Sequence, residues 1–310
     1  MSTGLEAALA DRACPLCGSR DESAVFAPAA IDESRLGAFA FSSRKTPEYM
    51  HYRLISCPDC DLLYASPAPA AAALSRAYRE AAFDSSEEAR CAARTYARLL
   101  SKILPRLPDR EGALDIGAGD GAFLEELLAL GFNGVAGVEP SEAPIASARA
   151  DVRPLIRRGL FAASDFHEGG FRLVTSFQTL EHVDDPLGVC RGAYRLLKKN
   201  GAAFFICHDR RAWSARLLGL KSPIFDVEHL QLFSPASVRS LLERAGFSDI
   251  AVGPVLNRYP LHYWLRLLPL PPSWKERAVA WAKAAVPGSW TLALPAGNLA
   301  AIGYKGSATK

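Results

Sequence analysis

The stretch Leu114-Asp-Ile-Gly-Ala-Gly-Asp-Gly121 constrains this chain more than any other. Glycines at 117, 119 and 121 let a backbone turn sharply and approach a bound nucleoside closely. The apolar run Ala113 to Ile116 before it reads as a strand, and Ala122 to Leu130 after it as a helix. The spacing Gly117-x-Gly119-x-x-Ala122 also satisfies the dinucleotide-binding fingerprint, so the glycines alone leave two ligand classes open. Asp115 separates them. Two residues before the first glycine the dinucleotide pattern is usually apolar, whereas an acid on a buried strand needs a compensating ligand ammonium or backbone amide. The second strand, Val135 to Val138, leads into Glu139-Pro140-Ser141. A carboxylate at that strand end can accept both hydroxyls of a ribose, the alternative being a surface glutamate beside a turn.

Further along, strands and helices alternate: a helix from Pro144 to Arg149, a strand from Val152 to Ile156, a strand from Leu173 to Ser176, a helix from Pro186 to Leu197 and a strand from Ala202 to Cys207. Such alternation implies an α/β fold, doubly wound, with a parallel sheet covered on both faces. Ahead of it, Ser86 opens an amphipathic helix with Ser85 and Ser86 as candidate caps and Tyr96, Leu99, Leu100 and Ile103 on one face. Ala71 to Glu80 suits a shorter helix. With 310 residues, 49% of them hydrophobic, one large domain and a small appendage can be accommodated.

The appendage is marked by two cysteine pairs, Cys14-Pro-Leu-Cys17 and Cys57-Pro-Asp-Cys60, in a chain of seven cysteines. Two CxxC turns brought together present the tetrahedral sulfur set that zinc prefers, with no position left open, so the expected role is structural. Unliganded thiols are the bland alternative. The segment between the pairs is poor in apolar runs, and metal binding would supply much of its folding free energy. Residues 1–70 hold six Lys or Arg against nine Asp or Glu, a poor clamp for nucleic-acid phosphates. The whole chain carries only +3, and its N-terminus lacks a basic region followed by an apolar run. A cytoplasmic location is the corresponding expectation.

These residues resemble the class I S-adenosylmethionine-dependent methyltransferases, particularly the group similar to ubiquinone-biosynthesis O-methyltransferases. The resemblance covers about residues 86 to 255. Its carriers are Leu114 to Gly121, Gly137-Val-Glu-Pro-Ser141, Ser176-Phe-Gln-Thr-Leu-Glu-His-Val183, Leu196-Leu-Lys-Lys-Asn-Gly201 and His229-Leu-Gln-Leu-Phe-Ser234. It implies a Rossmann-like, mostly parallel seven-stranded sheet over residues 111–310, with the seventh strand antiparallel at Leu299 to Tyr304. A zinc-ribbon-like segment over 1–70 and a helical linker with the first helix over 71–110 would precede it. It also implies S-adenosylmethionine held by Asp115, Gly117, Gly119 and Gly121 at the methionine half and by Glu139, followed by Pro140, at the ribose. Leu160 would lie beside the adenine and Gln178 beneath the cofactor. The loop Gly159 to Ser164 lacks the acid many relatives place near adenine.

A sulfonium is already an activated donor, so the protein has mainly to align donor and acceptor and remove a proton where the acceptor needs it. His182, His208 and His229 fall at or after carboxyl ends of strands and are candidate general bases. His182 could equally belong to a helix start with Asp184, Asp185 and Pro186, and His229 could orient its loop. Gln178 stands where a carboxylate ligand would be needed for a catalytic metal. No Asn-Pro-Pro-Tyr or Asp-Pro-Pro-Tyr follows the fourth strand, and no Pro-Cys pair occurs there. What remains is an oxygen acceptor on a small molecule or glycan, with carbon or amine acceptors less favoured. A nucleic-acid methyltransferase using the ribbon for docking, an NAD-dependent enzyme and a non-catalytic binding module are the alternatives. Residues 257–294, rich in Tyr, Trp and basic side chains, form an insertion that reads as a helical pair on the sheet, a substrate lid or a membrane contact.

Overall fold

The computed structural model describes residues 9–306 apart from 33, 35, 36, 38, 43–45, 288 and 289. Five short strands come first: β1 (Leu9–Ala10), β2 (Val25–Ala27), β3 (Leu54–Ser56), β4 (Leu63–Ala65) and β5 (Ala68–Pro69). Helices α1 (Ala71–Glu80) and α2 (Ser86–Leu100) follow. The alternating region then runs β6 (Glu111–Ile116), α3 (Ala122–Ala129), β7 (Asn133–Glu139), α4 (Glu142–Ser147), β8 (Ile156–Arg158), β9 (Phe171–Phe177), α5 (Pro186–Leu196) and β10 (Leu197–His208). It closes with α6 (Trp213–Leu218), β11 (Gln231–Leu232), α7 (Pro235–Ala245), β12 (Ser248–Pro260), α8 (Leu261–Leu267), α9 (Pro272–Ala285) and β13 (Thr291–Tyr304).

Seven of these strands make one sheet in the order β12-β13-β10-β9-β6-β7-β8. Pairing is parallel from β8 to β10, and β13 runs antiparallel to both β10 and β12. The expected doubly wound sheet and its antiparallel seventh strand are therefore present. Because β6 is flanked by β7 on one side and β9 on the other, the order reverses at β6, and a crevice opens beyond the carboxyl ends at that switch point. Both faces are covered, and β10 shows why its Ala202–Cys207 stretch is uniformly apolar. Phe204 and Ile206 pack with Tyr96, Leu100, Phe123 and Leu127 of α2 and α3 on one face. Phe205 and Cys207 pack with Cys190, Leu196, Leu241 and Leu242 of α5 and α7 on the other. Period-two alternation thus places each of these side chains in a core, every large one contributing about 2 kcal/mol or more.

Local chemistry explains the helix starts. Asp185 accepts from Gly188 N–H at 2.7 Å with Pro186 in the first turn of α5. Ser234 and Ser237 form a reciprocal capping box before α7. Ser85 precedes α2 without a capping side-chain bond. One element differs from the sequence reading. Val152 to Ile156 is not the third strand, because Pro154 shapes Arg153–Leu155 into a 3-10 turn and the strand begins only at Ile156. The seventh strand also starts earlier than Leu299, because β12 and β13 continue past the sheet as a two-stranded ribbon pairing Pro260 with Thr291.

The cysteine segment shares its core with the large sheet. Strands β2, β3 and β4 form a small sheet whose fourth member is β11, contributed from beyond β10. Leu16, Leu62 and Tyr64 are buried in the same cluster as Leu114, Phe205 and Phe233. The knuckles therefore sit directly on the end of the fold that carries the crevice.

Candidate active site

Each glycine of the first loop has its own reason to lack a side chain. Gly117, Gly119 and Gly121 all adopt positive φ, at 82°, 56° and 74°. A Cβ on Gly117 would stand 2.2 Å from Thr179 Oγ1, whereas at Gly119 nothing lies within 4 Å. Gly119 faces open space because it borders a cavity of about 550 Å³. Its amide donates to Glu139 Oε2 at 2.9 Å, and Ser141 N–H donates to Glu139 Oε1 at 2.9 Å. The neighbouring strands β6 and β7 thus join their ends through one carboxylate, whose protonation is favoured by burial and opposed by these amides. Asp115, buried on β6, accepts from Thr175 Oγ1 at 2.6 Å. This partner is a hydroxyl from the adjacent strand, where the sequence suggested a ligand ammonium or a backbone amide.

Asp115, Gly117, Gly119, Glu139, Pro140, Leu160 and Gln178 all line this cavity. Gly121 does not line it, because its Cβ position points back toward Val152 Cγ1 at 2.6 Å. Its role is to let α3 close on the 3-10 turn. Gln178 is held at φ 51° by its amide, which donates to the Ile206 carbonyl at 2.7 Å. Leu160 is exposed at the cavity rim.

The three candidate histidines line the same cavity and lie against one another. Ring centroids lie 4.9 Å apart for His182 and His229 and 4.8 Å apart for His208 and His229. Each has its own anchor. His182 Nδ1 lies 2.8 Å from Tyr78 Oη, and both approach the Glu228 carbonyl, at 3.0 Å each. His229 Nδ1 donates to the Ile224 carbonyl at 2.9 Å, which puts the ring's lone pair on Nε2, 3.8 Å from Glu228 Oε1. His208 Nδ1 lies 2.9 Å from Asn298 Oδ1, and burial pushes its pKa down to about 4, so the ring is neutral near pH 7. Behind it, Glu181 Oε1 accepts from His208 N–H at 2.5 Å, and burial pushes that carboxyl up to about 7. The capping role weighed for His182 falls instead to Asp185.

Several cavity residues carry no signal in the glycine and histidine motifs. Tyr78 comes from α1, Asn257 and Tyr259 from β12, Tyr263 and Trp264 from α8, and Asn298 from β13. Asn257 is buried, and its Oδ1 has no hydrogen-bond partner among the described residues. The run Asp226-Val-Glu228-His229, two acids beside a histidine, is the one local pattern that could have pointed to this part of the cavity.

The four cysteines of the knuckles converge. Their sulfurs lie within 4.8 Å of one another, with Cys14 to Cys60 and Cys17 to Cys57 each at 3.5 Å. Tetrahedral zinc with sulfurs at about 2.3 Å would set them about 3.8 Å apart, so the donors fit that ion in number, chemistry and spacing. The two knuckles are built alike. Each is followed by a residue at positive φ, Gly18 at 80° and Asp61 at 60°. Asp61 tolerates that conformation while its carboxylate pairs with Arg210 and Arg211 beyond β10. Arg12, just ahead of Cys14, donates to Gln231 Oε1 at 2.7 Å. Gln231 in turn donates to the carbonyls of Leu180 and Val183, on either side of Glu181 and His182. The knuckle is hydrogen-bonded to the histidine loops by this route.

Comparison with known proteins agrees with this arrangement. Residues 87–252, just over half of the chain, match the family model described as a methyltransferase domain. Among curated relatives, the ubiquinone biosynthesis O-methyltransferase of Shewanella pealeana is 29% identical over 46% of this chain and 66% of its own length. The protein of the same name from Pseudomonas aeruginosa is 36% identical over 31% of this chain and 44% of its own. The chain thus spans about half to two thirds of the curated relatives it matches. A solved S-adenosylmethionine-dependent methyltransferase from Archaeoglobus fulgidus aligns with a TM-score of 0.47 at 17% identity, covering 69% of this chain and 94% of that one. From the matched region, the sheet order and the glycine loop joined to its acid, the chain belongs to the methyltransferase-domain family, and its catalytic domain is of the S-adenosylmethionine-dependent kind.

Proposed function

We propose that this protein transfers the methyl group of S-adenosylmethionine to a hydroxyl oxygen of a small, largely apolar acceptor. The observation that carries the reading is the continuous cavity running from Gly119 and Glu139 to the three histidines. One end offers nucleoside chemistry and the other offers imidazoles among aromatic walls. The acceptor end is bordered by Tyr78, Tyr259, Tyr263 and Trp264, which suits a ring or an apolar body more than a charged one. Bound S-adenosylmethionine would supply the sulfonium methyl. Glu139 would receive the ribose hydroxyls, Gly119 would allow the close approach, Leu160 would border the adenine, and Asp115 and Gln178 would face the methionine half.

His229 is our choice for the residue that takes the acceptor's proton. The tautomer fixed by Ile224 leaves Nε2 as the basic atom, and Glu228 beside it stabilises the imidazolium that forms. His208, held neutral, would orient the acceptor together with Asn298 and Asn257. The cysteine cluster would hold a structural zinc that keeps these loops in place, since Gln231 and Arg12 connect it to the segment bearing His182.

Calorimetric titration with S-adenosylmethionine, S-adenosylhomocysteine and NAD tests the first step. Micromolar binding of the two sulfur ligands, lost in Glu139→Ala, is the expected result. Binding of NAD instead would return the glycine loop to the dinucleotide class. An acceptor screen then sets phenolic hydroxyls against sugar hydroxyls, and turnover confined to sugars would overturn the apolar-acceptor reading in favour of a glycan.

A further inference from the structure

Tryptophan is the residue a water-facing surface can least explain, and this chain exposes four of its five. Trp213 is 60% exposed, Trp274 74%, Trp281 61% and Trp290 70%. Only Trp264 is buried, with its indole N–H on the Leu292 carbonyl at 3.0 Å. Three of the exposed four belong to the insertion between β12 and β13. Trp274 and Trp281 lie seven residues apart on α9 and therefore share one face, while Ala282, on a different side, is buried. Trp290, just ahead of β13, and Leu292 and Leu294 at its start occupy alternate positions and are all exposed. Leu256, Leu268 and Leu270 add further exposed apolar area. Prolines 269, 271 and 272 do interrupt a single long amphipathic helix, but the exposed apolar residues belong to two elements, one face of α9 and the segment from Trp290 to Leu294.

Charge decides what such a surface can meet. Residues 257–294 hold five basic side chains (Arg258, Arg266, Lys275, Arg277 and Lys283) and one acid, Glu276. That is a balance of +4, so the rest of the chain sums to −1 against the total of +3. Of the five, Arg266 is committed to Glu88 at 3.0 Å, while Arg258, Arg277 and Lys283 are exposed. A two-fold contact with a second copy would set this patch against itself, basic side chains against basic side chains. An anionic lipid surface answers both features at once, because indoles settle at the headgroup level and lysine and arginine pair with lipid phosphates.

We propose that the β12–β13 insertion is a docking surface for anionic membranes, with Trp274, Trp281 and Trp290 entering the headgroup region and Arg277 and Lys283 contacting phosphates. The same insertion supplies α8, whose Tyr263, Trp264 and Leu267 line the cavity and which packs on α9. Docking would set the acceptor end of the cavity beside the bilayer, where a membrane-dissolved hydroxyl compound could enter. That consequence rests on the acceptor proposed above; the docking surface does not.

The test is co-sedimentation of the full zinc-loaded chain with vesicles of phosphatidylcholine alone or mixed with phosphatidylglycerol. Partitioning about tenfold or more stronger onto the anionic vesicles, weakened by salt, is expected, since each basic residue near the surface contributes about 1 kcal/mol. The triple variant Trp274→Ala, Trp281→Ala, Trp290→Ala should abolish it while leaving the melting temperature and S-adenosylmethionine affinity unchanged. The double variant Arg277→Glu, Lys283→Glu should remove the preference for anionic lipid. Absence of partitioning by the parent chain would overturn the proposal. So would a concentration-dependent dimer in light scattering that the tryptophan variant abolishes, since the occupant would then be a second copy.

Discussion

Replacing Glu181 by Gln should stabilise this protein, and increasingly so as the pH rises. Glu181 is completely buried behind His208, with Oε1 taking the His208 amide and Oε2 without a hydrogen-bond partner among the described residues. Burial raises its pKa from 4.5 to about 7, a displacement that corresponds to about 3 kcal/mol. The sign follows from the proton balance. Between pH 4.5 and 7 the folded chain holds a proton that the unfolded chain has released, so the contribution of the neutral acid is complete below 4.5 and is lost as pH climbs through 7. Glutamine keeps an oxygen for the His208 amide and never ionises, and its NH2 costs less to bury than a charge. The variant's advantage should therefore be small near pH 4.5, grow through the window from 5 to 7, and level off above 7, about 2 to 3 kcal/mol larger at pH 9 than at pH 5. Urea unfolding of both chains at several pH values measures this directly, and the cysteine cluster, common to both, cancels in the difference. Curves that stay parallel from pH 5 to 9 would show that Glu181 is not titrating in the folded protein, and the account of its burial would be wrong.

The two loop glycines should separate stability from binding. Gly117→Ala, which drives a Cβ to 2.2 Å from Thr179 Oγ1 at φ 82°, should cost about 2 to 4 kcal/mol in denaturant unfolding. Gly119→Ala meets nothing within 4 Å, so it should cost about 1 kcal/mol for its positive φ yet weaken S-adenosylmethionine binding severely in calorimetry. His229→Gln should lower kcat by about 10²- to 10⁴-fold with cofactor affinity retained, and its pH–rate profile should lose the limb that the base produces; an unchanged profile would remove His229 from that role. Stripping metal with a chelator, or making Cys57→Ser, should lower the melting temperature and abolish methyl transfer, because Gln231 and Arg12 would no longer be anchored. Full activity in zinc-free protein, checked by elemental analysis, would contradict that.

How far this site could be read in advance depended on where its partners lie along the chain. The glycine-loop end of the cavity was legible because its pieces are local: Asp115 to Gly121 is one turn, Glu139 ends the next strand, and β6 pairs with β7, so adjacency in sequence became adjacency in space. The proposed acceptor end was legible only in its histidines. Tyr78 reaches His182 across 104 positions and Asn298 reaches His208 across 90, and neither contact leaves a period or a spacing to detect. The third strand was misplaced because Val152-Arg-Pro-Leu-Ile156 is apolar enough for a strand, while Pro154 shapes its middle into a 3-10 turn. The knuckles are the instructive middle case. Their convergence was plain from two CxxC spacings, but their attachment depends on β11, a strand of two residues, and on the single amide of Gln231. Segments that short carry no pattern, so a cysteine cluster that reads as an appendage is in fact hydrogen-bonded to the loops beside the candidate base. The distinction matters for experiment: removing residues 1–70 would take Leu16, Leu62 and Tyr64 out of the cluster that buries Leu114, Phe205 and Phe233 and would remove the Arg12 bond to Gln231, so loss of activity in such a truncation would say nothing about a separate docking module.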